Sequence, residues 1–151
     1  MLFREIQKDD FSITLFQMLN SLSNSIEIST DNIYSFESYF NDFLYYLSKN
    51  KHHKVFIYFD ENENKIVGIG TLFIERKIIH NFGKVGHIED IVISKEYQNK
   101  GYGKEMIEKM VEMGKKEDCY KIILNCKEEV EKFYEKCGFF KKSSQMAIYF
   151  D

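Results

Sequence analysis

Proline is absent from the 151-residue chain, and no Pro- or Ser-rich linker, repeat or low-complexity tract divides it, so one domain is expected over residues 1–151. Long apolar runs are missing too. The longest, Ile66 to Ile74, is broken by Gly68, Gly70 and Thr71, and it falls well short of the roughly 20 residues of a membrane span. The opening MLFREIQKDD holds no apolar core of a secretion signal, so the chain is expected to begin as a mature protein. Cysteine is scarce: Cys119, Cys126 and Cys137 form an odd set without CxxC spacing. That argues against a secreted disulfide framework and for reduced thiols in a cytoplasmic compartment. His52, His53, His80 and His87 lie in no metal-ligand spacing, so no metal is expected. Basic residues are not in excess, 21 Lys and Arg against 24 Asp and Glu for a net charge of -3, which disfavours nucleic acid or an anionic membrane as a partner. Arginine is limited to Arg4 and Arg76, leaving little means of gripping phosphate with a guanidinium fork.

What is present follows two periodicities. Leu2 to Ile6 alternates and suits a first strand, and Asp9 and Asp10 are the expected N-caps of a helix carrying Phe11, Leu15, Met18, Leu19 and Leu22. Phe36, Tyr39, Phe40, Phe43, Leu44 and Leu47 fall at i, i+3, i+4, i+7, i+8 and i+11, a second helix whose stripe reads as core packing. The period then changes. Lys54 to Phe59 and Lys65 to Glu75 are strand-like and joined by the turn-prone residues 60–64, a hairpin. His87 to Ile93 and Tyr120 to Cys126 predict further strands, with a helix from Gly101 to Lys116 between them. Glu128 to Cys137 predicts a short helix closed by Gly138 in left-handed backbone, and Gln145 to Phe150 a last strand that closes the sheet. The order β-α-α-β-β-β-α-β-α-β indicates a mixed α/β sheet with helices on its faces.

The segment Gln98-Asn99-Lys100-Gly101-Tyr102-Gly103 lies between a strand and an amphipathic helix. Two glycines let the backbone turn tightly with its N–H groups outward, the helix adds unpaired donors and a positive dipole end, and Lys100 and Lys104 add charge. Such a turn seats a phosphate or pyrophosphate, or else is an ordinary strand-to-helix connection. It is neither a GxxxxGK[ST] loop nor a GxGxxG fingerprint.

This segment, led in by His87-Ile88-Glu89-Asp90-Ile91-Val92-Ile93 and followed by Phe133-Tyr134-Glu135-Lys136-Cys137-Gly138-Phe139, resembles the Q/R-x-x-G-x-G/A and Y-x-x-x-G-F motifs of the GNAT superfamily of acyl-CoA-dependent N-acetyltransferases. Residues 74–80, 86–91 and 119–124 are similar to the glucosamine 6-phosphate N-acetyltransferases within it. The resemblance implies a GNAT-type mixed, mostly antiparallel sheet flanked by helices on both faces. It also implies acetyl transfer from acetyl-CoA to the amine of D-glucosamine 6-phosphate, toward UDP-N-acetylglucosamine, by a cytoplasmic homodimer. By the same resemblance Gln98, Asn99, Lys100, Gly101, Tyr102 and Gly103 grip the CoA pyrophosphate, while Ile91, Val92 and Ile93 pair with the pantetheine arm through backbone groups. Tyr134 would stand by the thioester sulfur and protonate the leaving thiolate. Glu89 and Asp90 would line the sugar site, with Glu89 or water taking the amine proton and the Asn125 carbonyl holding the amine. Ser23, Lys77, Ile78, Ile79, His80, Tyr120 and Lys121 would complete the substrate site, the cations meeting the phosphate.

Two positions depart from the family pattern. Tyr149 stands where the family has an arginine given to the sugar phosphate across a dimer, and Val130 replaces an asparagine that contacts the cofactor. Acetylation of another small amine, and a non-catalytic acyl-CoA-binding module, are the alternative readings; lysines near the site favour a phosphorylated acceptor, and Tyr134 favours catalysis. Adjacent residues on a strand point to opposite faces, so Glu89 and Asp90 share a face only if a bulge intervenes.

Overall fold

The computed structural model describes residues 1–23 and 26–150. Five strands form one sheet in the order of the chain: β1 (Leu2–Glu5), β2 (His53–Asp60), β3 (Lys65–Arg76), β4 (Lys84–Ile93) and β5 (Cys119–Leu124). All neighbours are antiparallel except β4 and β5, which run parallel. Parallel neighbours need a crossover, here α4 (Tyr102–Lys116). The expected hairpin is β2–β3, its turn held by the Asp60 carboxylate accepting from the Asn62 amide at 3.0 Å. Between β3 and β4 the chain makes one short turn, α3 (Ile79–Phe82), with His80, Asn81 and Phe82 in left-handed backbone.

Each face of the sheet has its own apolar layer. Phe56, Tyr58, Leu72, Ile74 and Ile88 pack with Met106, Ile107 and Met110, the buried face of α4. Val55, Ile57, Ile69 and Val92 pack on the opposite side with Leu15 of α1 (Ile13–Ser23) and Phe40 of α2 (Ile33–Lys49). Helices therefore flank both faces. The final helix is α5 (Glu128–Lys136).

Two expectations fail. Asp9 and Asp10 do not cap the first helix: they lie in a 3-10 turn, Lys8–Asp10, and Asp10 is buried in an ion pair with Arg4. The capping oxygen is Ser12 Oγ, which accepts from the Leu15 amide at 3.2 Å, and that choice lets the buried Asp10 carboxylate meet a guanidinium instead. The last strand is also missing. Residues 139–150 form neither helix nor strand, and Met146, Ile148 and Phe150 are 94%, 82% and 91% exposed. Their alternation suits a strand, but within one chain they meet no face on which to bury it.

Candidate active site

β4 carries one residue more than β3 can pair. Thr71 lies opposite Glu89 and Ile69 opposite Val92, so Gly70 alone faces both Asp90 and Ile91. This is a β-bulge, and it turns Asp90 into left-handed backbone, φ 53°. Glu89 remains on the face of His87, half-buried, whereas Ile91 points to α4 and Asp90 is exposed. Gly70 admits the bulge because any Cβ there would stand 2.3 Å from Ile91 Cδ1.

Past the bulge, β4 and β5 part. Their pairing ends at Ile88 with Leu124, and from Glu89 to Ile93 the outer edge of β4 has no strand beside it among the described residues. Asn125 is exposed one residue beyond β5. The Ile93 carbonyl is already engaged, accepting from Gln98 Nε2 at 2.9 Å. Of the strand residues expected to pair with an extended ligand, Ile93 thus has one acceptor position of its carbonyl taken by Gln98, whose side chain ties the glycine loop to the strand.

Tyr134 reaches this opening from α5. The helix ends in a Schellman cap: the Phe139 amide donates to the Tyr134 carbonyl at 3.1 Å and the Gly138 amide to the Glu135 carbonyl at 3.0 Å. Gly138 supplies the left-handed residue, φ 90°. The spacing Tyr-x-x-x-Gly-Phe is therefore a helix stop that fixes its own tyrosine. Burial pushes the Tyr134 phenol above its ordinary pKa, with Cys126, Cys137 and Glu89 adding to the effect. Glu89 is also raised, first by burial and then by the charge of Asp90, against a smaller pull from His87. The phenol is thus held toward its protonated form and the Glu89 carboxylate is made more basic, with the charge of Glu89 felt at Tyr134.

The glycine loop leads into α4. Gly101 holds the N-cap at φ 91°, and a Cβ built on it would meet no heavy atom within 4 Å. The first bond into the helix is that of the Glu105 amide on the Gly101 carbonyl, 3.0 Å, so the amides of Tyr102, Gly103 and Lys104 open outward. Lys100 lies 4.9 Å from the Tyr97 ring centre, beside Asn99, which is also left-handed.

The expected phosphate residues do not join this group. His80 stacks on Tyr120 with ring centres 4.1 Å apart, and Lys121 Nζ is 5.6 Å from the same ring. These, with exposed Ile78 and Ile79, lie where β4 and β5 begin: Lys121 pairs with Val85, four residues before Glu89, about 13 Å along the strand. Lys77 turns instead to Glu75. Ser23 ends α1 at an exposed position. Sequence reasoning passed over His53, Phe73 and His87, which share one rung of the sheet; nothing in the linear spacing could have joined them. A cavity of about 790 Å³ opens between β5, α5 and the C-terminal segment, lined by Asn125, Cys126 and Tyr134 among others. Among the described residues no cluster of three His, Cys, Asp or Glu could hold a metal, and no helix is long and apolar enough to cross a membrane.

The model of the acetyltransferase (GNAT) family matches residues 16–139, and the chain belongs to that family. Its relatives narrow the assignment. A glucosamine 6-phosphate N-acetyltransferase 1 of Dictyostelium discoideum is 38% identical over 147 residues, covering 97% of this chain and 89% of its own length. An enzyme of that name from Oryza sativa subsp. japonica is 32% identical over 147 residues, 97% of this chain and 86% of its own. The crystal structure of glucosamine-6-phosphate N-acetyltransferase from Arabidopsis thaliana matches with a TM-score of 0.86 at 32% identity, over 99% of this chain and 98% of that one. Within the superfamily the chain is a glucosamine 6-phosphate N-acetyltransferase family member.

Proposed function

We propose that the protein transfers an acetyl group from acetyl-CoA to the amine of D-glucosamine 6-phosphate by direct attack in a ternary complex. The observation that carries this reading is the open outer edge of β4 from Glu89 onward, where β5 has ended at Leu124 and the bulge at Asp90 keeps Glu89 on the face of His87. Acetyl-CoA suits the frame. The outward amides of Tyr102, Gly103 and Lys104 and the open space at Gly101 accept its pyrophosphate, and the free edge of β4 at Ile91 accepts the pantetheine amides. The raised basicity of Glu89 favours removal of the amine proton, directly or through water, while the Asn125 carbonyl orients the nitrogen. Tyr134, protonated at neutral pH, is suited to hand its proton to the departing thiolate.

The acting unit in this reading is a homodimer in a single-domain fold, in a cytoplasmic setting. Two features support it. The exposed strand-like segment from Gln145 to Phe150 and the unfilled cavity along β5 complement one another. In addition, His80, Tyr120 and Lys121 lie too far along their strands to reach a sugar held at Glu89, so the same residues of a second copy would meet the phosphate. Tyr149, in the arginine's place, would add a neutral hydrogen bond there.

A thiol-release assay with acetyl-CoA tests the reaction. Glucosamine 6-phosphate should be turned over well above glucosamine, spermidine or a peptide; equal rates on all four would defeat the assignment. Light scattering should give twice the chain mass.

A further inference from the structure

The β2–β3 hairpin reaches the chain just ahead of the glycine loop and holds it at two points. Asp60 and Lys65, the last residue of β2 and the first of β3, face one another across the hairpin. Each grips a residue of the 3-10 turn Lys95–Tyr97. The Tyr97 hydroxyl donates to Asp60 Oδ2 at 2.8 Å, and the Lys65 ammonium donates to Glu96 Oε2 at 2.9 Å. Asp60 is itself fixed, because its other oxygen accepts from the Asn62 amide at 3.0 Å and the Glu63 amide at 3.4 Å. Between clamp and sheet, the Ser94 amide donates to the Val67 carbonyl at 2.8 Å, which carries the pairing with β3 one residue past β4.

Tyr97 passes this anchorage to both ends of the loop. Its ring centre lies 4.9 Å from Lys100 Nζ on the loop and 6.2 Å from the ring of Tyr102, where α4 begins. Residues 98–101 belong to neither helix nor strand, and Asn99 and Gly101 are left-handed. Ordering such a segment only when a ligand arrives costs conformational entropy and weakens binding. A loop already held by its neighbours avoids that loss. The clamp brings two carboxylates near a phosphate seat, yet each is engaged, Asp60 by its three donors and Glu96 by Lys65.

We propose that Tyr97 is a positioning residue for the cofactor: anchored by Asp60, it holds the loop from Gln98 to Gly103 in the shape that receives the diphosphate of acetyl-CoA. The proposal rests on the cofactor seat assigned above and adds what keeps that seat formed before the cofactor arrives. Tyr97 stands away from the reacting atoms and acts through Lys100 and Tyr102.

Tyr97→Phe removes the hydroxyl and keeps the ring beside Lys100. KM for acetyl-CoA, and Kd for CoA by calorimetry, should rise about fivefold, a modest loss because the bond is open to water. kcat, KM for glucosamine 6-phosphate and the urea midpoint should stay near their original values. Asp60→Ala cuts the same bond from the other end and should raise the same KM at least as far. The double variant should then lose no more than Asp60→Ala alone. Asp60→Asn is the conservative rescue: its oxygen keeps both turn amides, its N–H donates to the phenol oxygen, and cofactor KM should stay near the original. An unchanged cofactor KM in Tyr97→Phe, a parallel fall in its kcat, losses that add in the double variant, or an Asp60→Asn no better than Asp60→Ala overturns the anchor. If the unsubstituted protein takes up no CoA, the cofactor seat itself falls; if it does and Tyr97→Phe binds equally well, only the anchor does.

Discussion

Phe139 locks Tyr134 in place twice over. Its amide donates to the Tyr134 carbonyl at 3.1 Å, and the two rings meet nearly edge to face at 6.2 Å between centres. The residue that allows this is Gly138, at φ 90°. Gly138→Ala should lower stability by about 1–2 kcal/mol, since a side chain in left-handed backbone is strained. Because the cap also aims the phenol, kcat should fall as well. Urea unfolding and turnover measured on one preparation check both; a stability loss with full turnover would show that the cap does not orient Tyr134.

Tyr134→Phe removes the proton and keeps the ring. kcat should drop about 100-fold, the scale of a lost general acid. Acetyl-CoA affinity by calorimetry should be unchanged, because the ring packing survives.

The pH profile carries a signed expectation. The charge of Asp90 raises Glu89, so Asp90→Asn should lower the Glu89 pKa and move the acid limb of kcat/KM to lower pH. Asparagine tolerates the left-handed backbone that the bulge requires. Glu89→Gln should lose that limb and most of the turnover. A limb that moves upward in Asp90→Asn would remove Glu89 as its source.

Arg4 and Asp10 offer a control remote from the gap. The guanidinium grips the buried carboxylate at 2.7 Å and 2.8 Å, and Asp10 also accepts from the Gln7 amide at 2.7 Å. Asp10→Ala should cost about 2–4 kcal/mol, by leaving a partly buried cation and an amide without their partner. Activity at low temperature should be retained. Thermal unfolding and the assay separate the two effects.

The sequence made some elements readable and hid others for identifiable reasons. The α2 helix, the 60–64 turn and the Gly138 stop are local signals, and local signals are written within a few residues of where they act; the α2 stripe reads as core throughout, yet Phe40, Leu44 and Leu47 reach the core while Tyr39 is 69% exposed. Asp10 looked like a cap because its partner, Arg4, is recognisable only once the chain has turned. The segment from Gln145 to Phe150 has a strand's alternation, yet alternation names no partner edge. Glu89 and Asp90 were visible as a pair, and only the register against Thr71 and Ile69 reveals which of them is the extra residue. The rung of His53, Phe73 and His87 joins three strands and belongs wholly to that register.

Without Asp90, β4 would alternate faultlessly: Ile88, Ile91 and Ile93 toward one layer, Glu89 and Val92 toward the other. Excising that single amino acid should therefore restore an unbroken register between β3 and β4 and yield a sturdier, more regular sheet that presents a different edge beside Glu89. In the proposed reaction that flaw in the pleat is what shapes the acceptor side, and selection for robustness alone would erase it.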